Sequence, residues 1–161
     1  MSTIKVDSIQ NTAGEPAFVI TPEGYIKPAK FAGFAGIGHQ SAGWTNYTSF
    51  AAYSTLATSE CIGDDFNPAT GEFTVPVTGL YQVNAAVYTG NGTDQGVVVR
   101  TAVNGVLDSR YSAQHKQSSG SDDNSTTLAA VIPLSKDDIF TLQLLGWFYA
   151  EHTSFSAYLI G

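Results

Sequence analysis

The chain has 161 residues, of which 43% are hydrophobic and only 13% are charged, and its formal net charge at pH 7 is −7. This length fits one domain with a small appendage and can bury a hydrophobic core without disulfides. The 12% of aromatic residues excludes a long disordered acidic chain. The acidic surplus argues against nucleic acids and anionic membranes as partners, because both are bound through an excess of lysine and arginine.

The single cysteine, Cys61, excludes an intrachain disulfide and a cysteine-based zinc cluster, and we expect it to be a small buried hydrophobe. No apolar run reaches the length of a transmembrane helix. The residues after Met1 lack the uninterrupted apolar segment of a secretory signal peptide. We therefore expect neither a membrane span nor a leader.

Residues 1–30 differ in composition from the rest, with three of the six prolines and as many basic as acidic residues. Alternating apolar residues predict short β segments over 3–10, 17–21 and 25–27. So short a ribbon is marginal alone in water, which predicts an extended arm that docks on another surface. The candidate partner-binding residues are the apolar ones: Ile4, Val6, Ile9, Phe18 and Ile20.

In residues 31–161 apolar side chains alternate with polar ones, the pattern of half-buried β-strands. Asn104-Gly105, between two such runs, predicts a type I′ hairpin. One short helix is predicted over residues 49–59, from the spacing of their large apolar side chains. Many strands separated by turns predict an all-β antiparallel sandwich of the jelly-roll type. The alternation is clearest over 81–87, 97–103, 140–144 and 155–159.

The three histidines lie outside any known catalytic motif. His39 falls in a Gly-rich link, His115 near a hairpin end, and His152 in a turn pair with Glu151. None of them belongs to a Gly-x-Ser-x-Gly elbow or a His-Glu-x-x-His helix. We therefore predict no catalytic residue, no cofactor and no enzymatic activity.

Three pairs of adjacent aspartates are candidates for a cation site. Adjacent residues of a strand point to opposite faces, so one pair supplies few of the six to eight oxygens that calcium takes. We expect each pair to be a solvated turn and predict no metal, although loops meeting on a threefold axis could combine carboxylates. The pairs are Asp64-Asp65, Asp122-Asp123 and Asp137-Asp138.

Residues 65–81 resemble the central motif of the complement 1q globular head, within the tumour-necrosis-factor-like superfamily. The Asn104-Gly105 hairpin and residues 134–142 and 154–160 are similar to further elements of that head, in the same order. The sequence departs from the family at Asp137, where glycine is usual, and in a short link between the last two strands. The matching motif residues are Phe66, Asn67, Thr70, Gly71, Phe73, Pro76, Gly79 and Tyr81.

This resemblance implies a ten-stranded jelly-roll head over residues 31–161 and a tight homotrimer. The run 144–149 is too apolar for a solvated loop, and large apolar patches on small domains usually mark interfaces. The predicted trimer-interface residues are Leu145, Trp147, Phe148 and Tyr149.

The first fourteen residues resemble the opening of small tail- and capsid-associated proteins of bacteriophages. This resemblance implies a non-enzymatic virion structural protein with two partners, itself and the major capsid protein or another virion protein. We predict a trimeric capsid decoration or cement protein on the virion surface. Its arm would dock on neighbouring subunits by adding strands to their sheets. Alternatively, the arm packs on its own trimer.

Two other functions stay open. One is a tail-fibre or baseplate tip protein that binds a host surface receptor, which usually needs a long shaft that this sequence lacks. The other is a lectin-like or adhesin-like complement head, which a secretion signal would support.

Overall fold

The computed structural model describes residues 8–10, 16–20, 22–24, 26–28, 32–37, 44–54, 65–89, 96–116 and 124–160. The chain divides into two compact units, Met1–Phe31 and Ala32–Gly161, called here the N-terminal and C-terminal units. The described residues contain twelve β-strands and no helix, and every strand pairing is antiparallel. The predicted all-β antiparallel class is confirmed.

The N-terminal unit contains a three-stranded sheet in chain order, β1 (Ser8–Gln10), β2 (Pro16–Ile20) and β3 (Ile26–Pro28). In the turn between β2 and β3, Gly24 has a φ of 87°, a backbone conformation that glycine adopts without strain. The strands lie where alternating apolar residues predicted β segments.

The C-terminal unit holds the other nine strands, and the last of them is far longer than the usual five or six residues. The predicted last two strands, over 140–144 and 155–159, are one continuous strand of 21 residues. The strands are β4 (Gly33–Ile37), β5 (Trp44–Ala52), β6 (Phe66–Asn67), β7 (Glu72–Thr74), β8 (Gly79–Thr89), β9 (Gly96–Val103), β10 (Val106–Lys116), β11 (Asn124–Leu134) and β12 (Ile139–Leu159).

Strand β12 belongs to two layers of the sandwich. Its first half pairs with β9 on one side and with β7 and β5 on the other, and β10 pairs with β9. Its second half lies between β8 and β4, and β11 pairs with β8. We call these the β9 layer and the β8 layer. Their arrangement is the predicted jelly roll, but the described residues of this unit form nine strands instead of the ten expected, and one long strand crosses between the layers.

Aromatic rings fill the space between the layers. Phe34 of β4 stacks on Phe66, with ring centroids 4.0 Å apart, and meets Phe155 edge-on at 4.9 Å. Phe140 and Phe155, one from each half of β12, have centroids 5.9 Å apart. These rings are almost completely buried. Large buried rings contribute much of the packing energy of a core. Because Phe140 and Phe155 come from different halves of β12, these two halves pack against each other across the sandwich.

The crossing of β12 depends on Gly146 and on hydrogen bonds further along the strand. Gly146 has a φ of 104°, and a Cβ there would collide with the carbonyl oxygen of Gly96 on β9. The buried Tyr53 hydroxyl donates to the Ala150 carbonyl at 2.9 Å, and the Thr153 hydroxyl donates to the Tyr149 carbonyl at 2.9 Å. Side chains therefore satisfy backbone carbonyls at the crossing.

The helix predicted over residues 49–59 is wrong where the structure describes it, because residues 49–52 end strand β5. Ala51 and Ala52 lie opposite Leu144 and Gln143, and the Tyr53 N–H donates to the Leu142 carbonyl at 2.8 Å. Pairing with β12 overrides the local spacing of apolar residues. Residues 55–59 lie outside the described residues.

The Asn104-Gly105 hairpin is confirmed, with φ angles of 51° and 78°. The Asn104 side chain also accepts a hydrogen bond from the Ile139 N–H at 2.9 Å and donates to Asp138 Oδ1 at 2.8 Å. Asp137 has a φ of 69°, a conformation that aspartate tolerates better than most residues. This tolerance explains how aspartate replaces the usual glycine.

We predict that Gly146→Ala destabilises the C-terminal unit by more than about 2 kcal/mol, because it combines a positive φ with a backbone collision. The matched control is Gly105→Ala, which has a positive φ but open space around the added carbon. Urea unfolding measures both variants. If both variants lost the same free energy of unfolding, the close approach of Gly146 to the Gly96 carbonyl would place no constraint on β12.

We predict that Asn104→Ala costs about 2 kcal/mol, because it removes two side-chain hydrogen bonds and a residue suited to the turn. Asn104→Gly keeps the turn but loses the bonds, so its loss should be roughly half as large. Thr127→Ala, at an exposed position of β11, is the neutral control. If the alanine and glycine variants were as stable as wild type in chemical denaturation, the two Asn104 hydrogen bonds would make no contribution to stability.

Candidate functional site

The residues of the 65–81 motif shape turns and close the core. Asn67 accepts a hydrogen bond from the Ala69 N–H through its side chain, at 3.0 Å, and from the Gly71 N–H through its backbone carbonyl, at 2.8 Å. The Tyr81 hydroxyl donates to the Val77 carbonyl at 2.7 Å, and burial raises the pKa of Tyr81. These groups are engaged in the fold, so the motif supplies structure rather than reactive chemistry.

The predicted trimer-interface residues divide between the two faces of β12. Phe148 is completely buried and meets Tyr47 and Tyr53 edge-on, at centroid distances of 5.0 and 5.8 Å. Its ring belongs to the core of its own chain and leaves no surface for a partner. Neighbouring residues of a strand point to the opposite face. The interface role of the other three stays a prediction, and all three are half-buried: Leu145, Trp147 and Tyr149.

Glu151 and His152, predicted as a turn pair, lie within β12 in an aromatic cluster. The rings of Tyr88, Tyr149 and His152 meet edge-on, with centroids 4.8 to 6.1 Å apart. The Tyr149 hydroxyl donates to Glu151 at 2.7 Å, and this hydrogen bond raises the pKa of Tyr149. The carboxylate thus holds a tyrosine in place.

The Asp137-Asp138 pair is a turn, as predicted. Asp138 accepts hydrogen bonds from the Ser135 N–H and from Asn104, both at 2.8 Å. Within the described ranges, no three histidine, cysteine, aspartate or glutamate residues are grouped to hold a metal ion. In the same ranges, no helix is long and apolar enough to cross a membrane. The predictions for His39, Cys61 and Asp122-Asp123 fall outside the described residues.

The five predicted docking residues lie in or before the small N-terminal sheet. Ile9 of β1 is the cross-strand partner of Phe18 on β2, and Ile20 pairs with Ile26 on β3. Ile4 and Val6 lie outside the described residues. The partner-binding role of these residues stays a prediction.

The β8 layer carries an exposed apolar surface that was not predicted from the sequence. Val131 and Tyr158 lie on either side of Gln82 in register, and Leu80 is two residues before Gln82 on the same strand face. Leu80, Val131 and Tyr158 are 45%, 44% and 37% exposed. Ile160, whose N–H donates to the Leu80 carbonyl at 2.8 Å, is also exposed. We call these four residues the Leu80 surface.

A groove of about 430 Å³ lies between strands β10 and β11, lined in part by Val106, Leu107 and Pro133. At this groove, Arg110 forms a 2.6 Å ion pair with Asp108, and its hydrogen bonds lower the pKa of Asp108. A second hollow of about 300 Å³ joins Pro133 to Leu80. Exposed apolar side chains therefore run from the groove to the Leu80 surface.

Known proteins share this architecture. Eiger TNF from S. frugiperda aligns with a TM-score of 0.64 and 15% identity over 82% of this chain and 94% of that one. The globular domain of zebrafish complement 1qA aligns with a TM-score of 0.59 and 18% identity over 81% of this chain and 98% of that one. Murine APRIL at pH 5.0 aligns with a TM-score of 0.56 and 16% identity over 81% of this chain and 100% of that one. At these identities the likeness shows the fold alone.

A comparison with curated protein sequences found no significant match. The family model of the C1q domain matches residues 43–160, which is well over half of the sequence and includes the 65–81 motif. The resemblance to the complement 1q head is confirmed, and the chain belongs to the C1q domain family.

Proposed function

We propose that this chain is a non-enzymatic structural protein of a bacteriophage virion, a trimeric capsid decoration or cement protein. Its C-terminal unit associates with itself, and its N-terminal unit docks on neighbouring virion subunits. The observation that carries the proposal is the division into a C1q-type unit and a separate small sheet. The phage context rests on the first fourteen residues, which resemble phage structural proteins.

The surface of the C-terminal unit supports a role in association. The motif residues Asn67 and Tyr81 are engaged in hydrogen bonds within the fold. The Leu80 surface, in contrast, exposes four large apolar side chains to solvent. Exposed apolar side chains gathered on one face of a small domain mark an interaction site, and Gln82 is the polar residue between Val131 and Tyr158 in this one. Association through this surface removes apolar area from water, which is the main driving force of subunit assembly.

A threefold arrangement suits the position of the apolar residues. In a closed ring, each subunit presents one patch to one neighbour and a different patch to the other. The Leu80 surface and the β10–β11 groove are two such patches, and Pro133 lies between them. We therefore place the subunit contact on the β8 layer and at the adjoining groove, instead of at the half-buried Leu145, Trp147 and Tyr149 expected from the sequence.

The N-terminal sheet supports the docking role. Its strands have three, five and three residues, too few to enclose a hydrophobic core. Strands β1 and β3 are the outer strands of this sheet, and outer strands offer backbone groups for pairing with another chain. Residues 1–30 carry balanced charges, so this docking would depend on backbone pairing and apolar contacts.

We predict a homotrimer in native mass spectrometry at micromolar concentration, at three times the 17.0 kDa of one chain. Leu80→Glu and Val131→Glu should each produce monomers, because the association would bury an unpaired carboxylate in every subunit. Leu145→Glu, on the other layer, is the matched control and should remain trimeric. A monomeric wild type would contradict the trimer. If only Leu145→Glu dissociated, the interface would lie at residues 145–149, as expected from the sequence.

We predict that deletion of residues 1–27 leaves the trimer intact and abolishes binding to virus particles. The control is the double variant Lys5→Ala and Lys27→Ala in the full chain. It should bind virus particles normally, because the proposed contact depends on strand pairing and apolar side chains. Cosedimentation with particles that lack the protein measures both. Particle binding by the truncated chain would contradict the docking role. The copy number per particle separates the alternatives, since a tail-fibre or baseplate tip is present in far fewer copies than a capsid decoration.

A further inference from the structure

A row of side chains crosses the outer face of the β9 layer. Ser112 of β10 lies opposite Arg100 of β9, and Arg100 lies opposite Gln143 of β12. Side chains of paired residues point to the same side of a sheet. The next residues along the strands, Val99 and Leu144, are completely buried in the core. Arg100 and its two neighbours therefore face outward.

Arg100 contacts an aromatic ring and forms no ion pair with another described residue. Its guanidinium carbon lies 4.9 Å from the centroid of the Phe50 ring, a cation–π contact. Its Nε is buried and has no hydrogen-bond partner among the described residues, while the side chain as a whole is only half-buried. Glu72, which lies opposite Thr141 in register, accepts a hydrogen bond from the Thr70 hydroxyl at 2.9 Å. Arg100 therefore keeps at least one donor without a partner among the described residues, and the Phe50 ring fixes its orientation.

Neutral hydrogen-bonding groups surround this cation. Gln143 Nε2 donates to the Thr141 hydroxyl at 2.8 Å, which orients the amide and leaves its oxygen as an acceptor. Ser112, on the other side of Arg100, is exposed, and its hydroxyl donates to the Ser109 carbonyl at 3.0 Å, which leaves its oxygen as an acceptor. The neighbouring pair in register, Val98 and Leu145, is half-buried and apolar. The face therefore combines one cation, an amide, a hydroxyl and an apolar strip.

We propose that this face binds a saccharide that carries a carboxylate. The terminal nitrogens of Arg100 take the carboxylate, because a guanidinium matches its two oxygens. Gln143 and Ser112 bond sugar hydroxyls, and Val98 with Leu145 receives the C–H face of the ring. The net charge of −7 repels nucleic acids and highly acidic peptides, which favours a ligand with one negative charge.

This proposal does not depend on the virion role. The Arg100 face belongs to the β9 layer and the Leu80 surface to the β8 layer, so ligand binding and self-association are compatible. In a virion protein, such a face would bind host-surface sugars.

The test uses the full chain in its native oligomeric state. Saturation-transfer NMR and calorimetry compare 3′-sialyllactose with lactose, and galacturonic acid with its methyl ester. We expect both acids to bind and both neutral counterparts to bind at least tenfold more weakly. Arg100→Met should weaken acid binding at least tenfold, whereas the control Arg110→Met, at an exposed arginine paired with Asp108, should change it less than twofold.

Circular dichroism checks the folding of each variant. Gln143→Ala leaves the Arg100–Phe50 contact in place and gives an independent measurement, with a three- to tenfold loss expected. The proposal is overturned if wild type binds neither acid, if Arg100→Met binds them normally, or if Gln143→Ala has no effect. Tighter binding of a glutamate-containing tripeptide than of either acid would overturn the assignment to a saccharide.

Discussion

The structure depends on one strand that is hydrogen-bonded into both layers of the sandwich. Strand β12 pairs with β9 and β5 in its first half and with β8 and β4 in its second. A shared strand fixes the two layers relative to each other, and it sets Phe140 and Phe155 facing across the core. Gly146 makes this course possible, because any side chain there would meet the backbone of β9.

The same strand decides which residues are available to partners. In the first half of β12, Phe148 lies in the core and Leu145 is half-buried on the opposite face. In the β8 layer, Tyr158 joins Leu80 and Val131 in an apolar surface. The two layers therefore offer different chemistry: the outer face of one exposes apolar side chains, and the outer face of the other is centred on Arg100.

The family motif has a structural role, which explains why membership in the C1q family leaves the function open. Asn67 and Tyr81 form hydrogen bonds to nearby backbone, and Gly71 packs against the backbone of Tyr53. A fold held by such groups can carry many different surfaces, and function resides in those surfaces. The proposals for this chain accordingly rest on the Leu80 surface, the N-terminal sheet and the Arg100 face.

The amino-acid sequence by itself determined the strand class, the Asn104-Gly105 hairpin and the C1q family, because these depend on alternation, turn residues and a motif within a few positions. Tertiary structure alone decided that residues 49–52 form a strand and that Phe148 is in the core. It also assembled the Leu80 surface from three strands and set Arg100 over Phe50. These features follow from pairing between segments distant in the chain, and cross-strand register is not encoded in any local pattern.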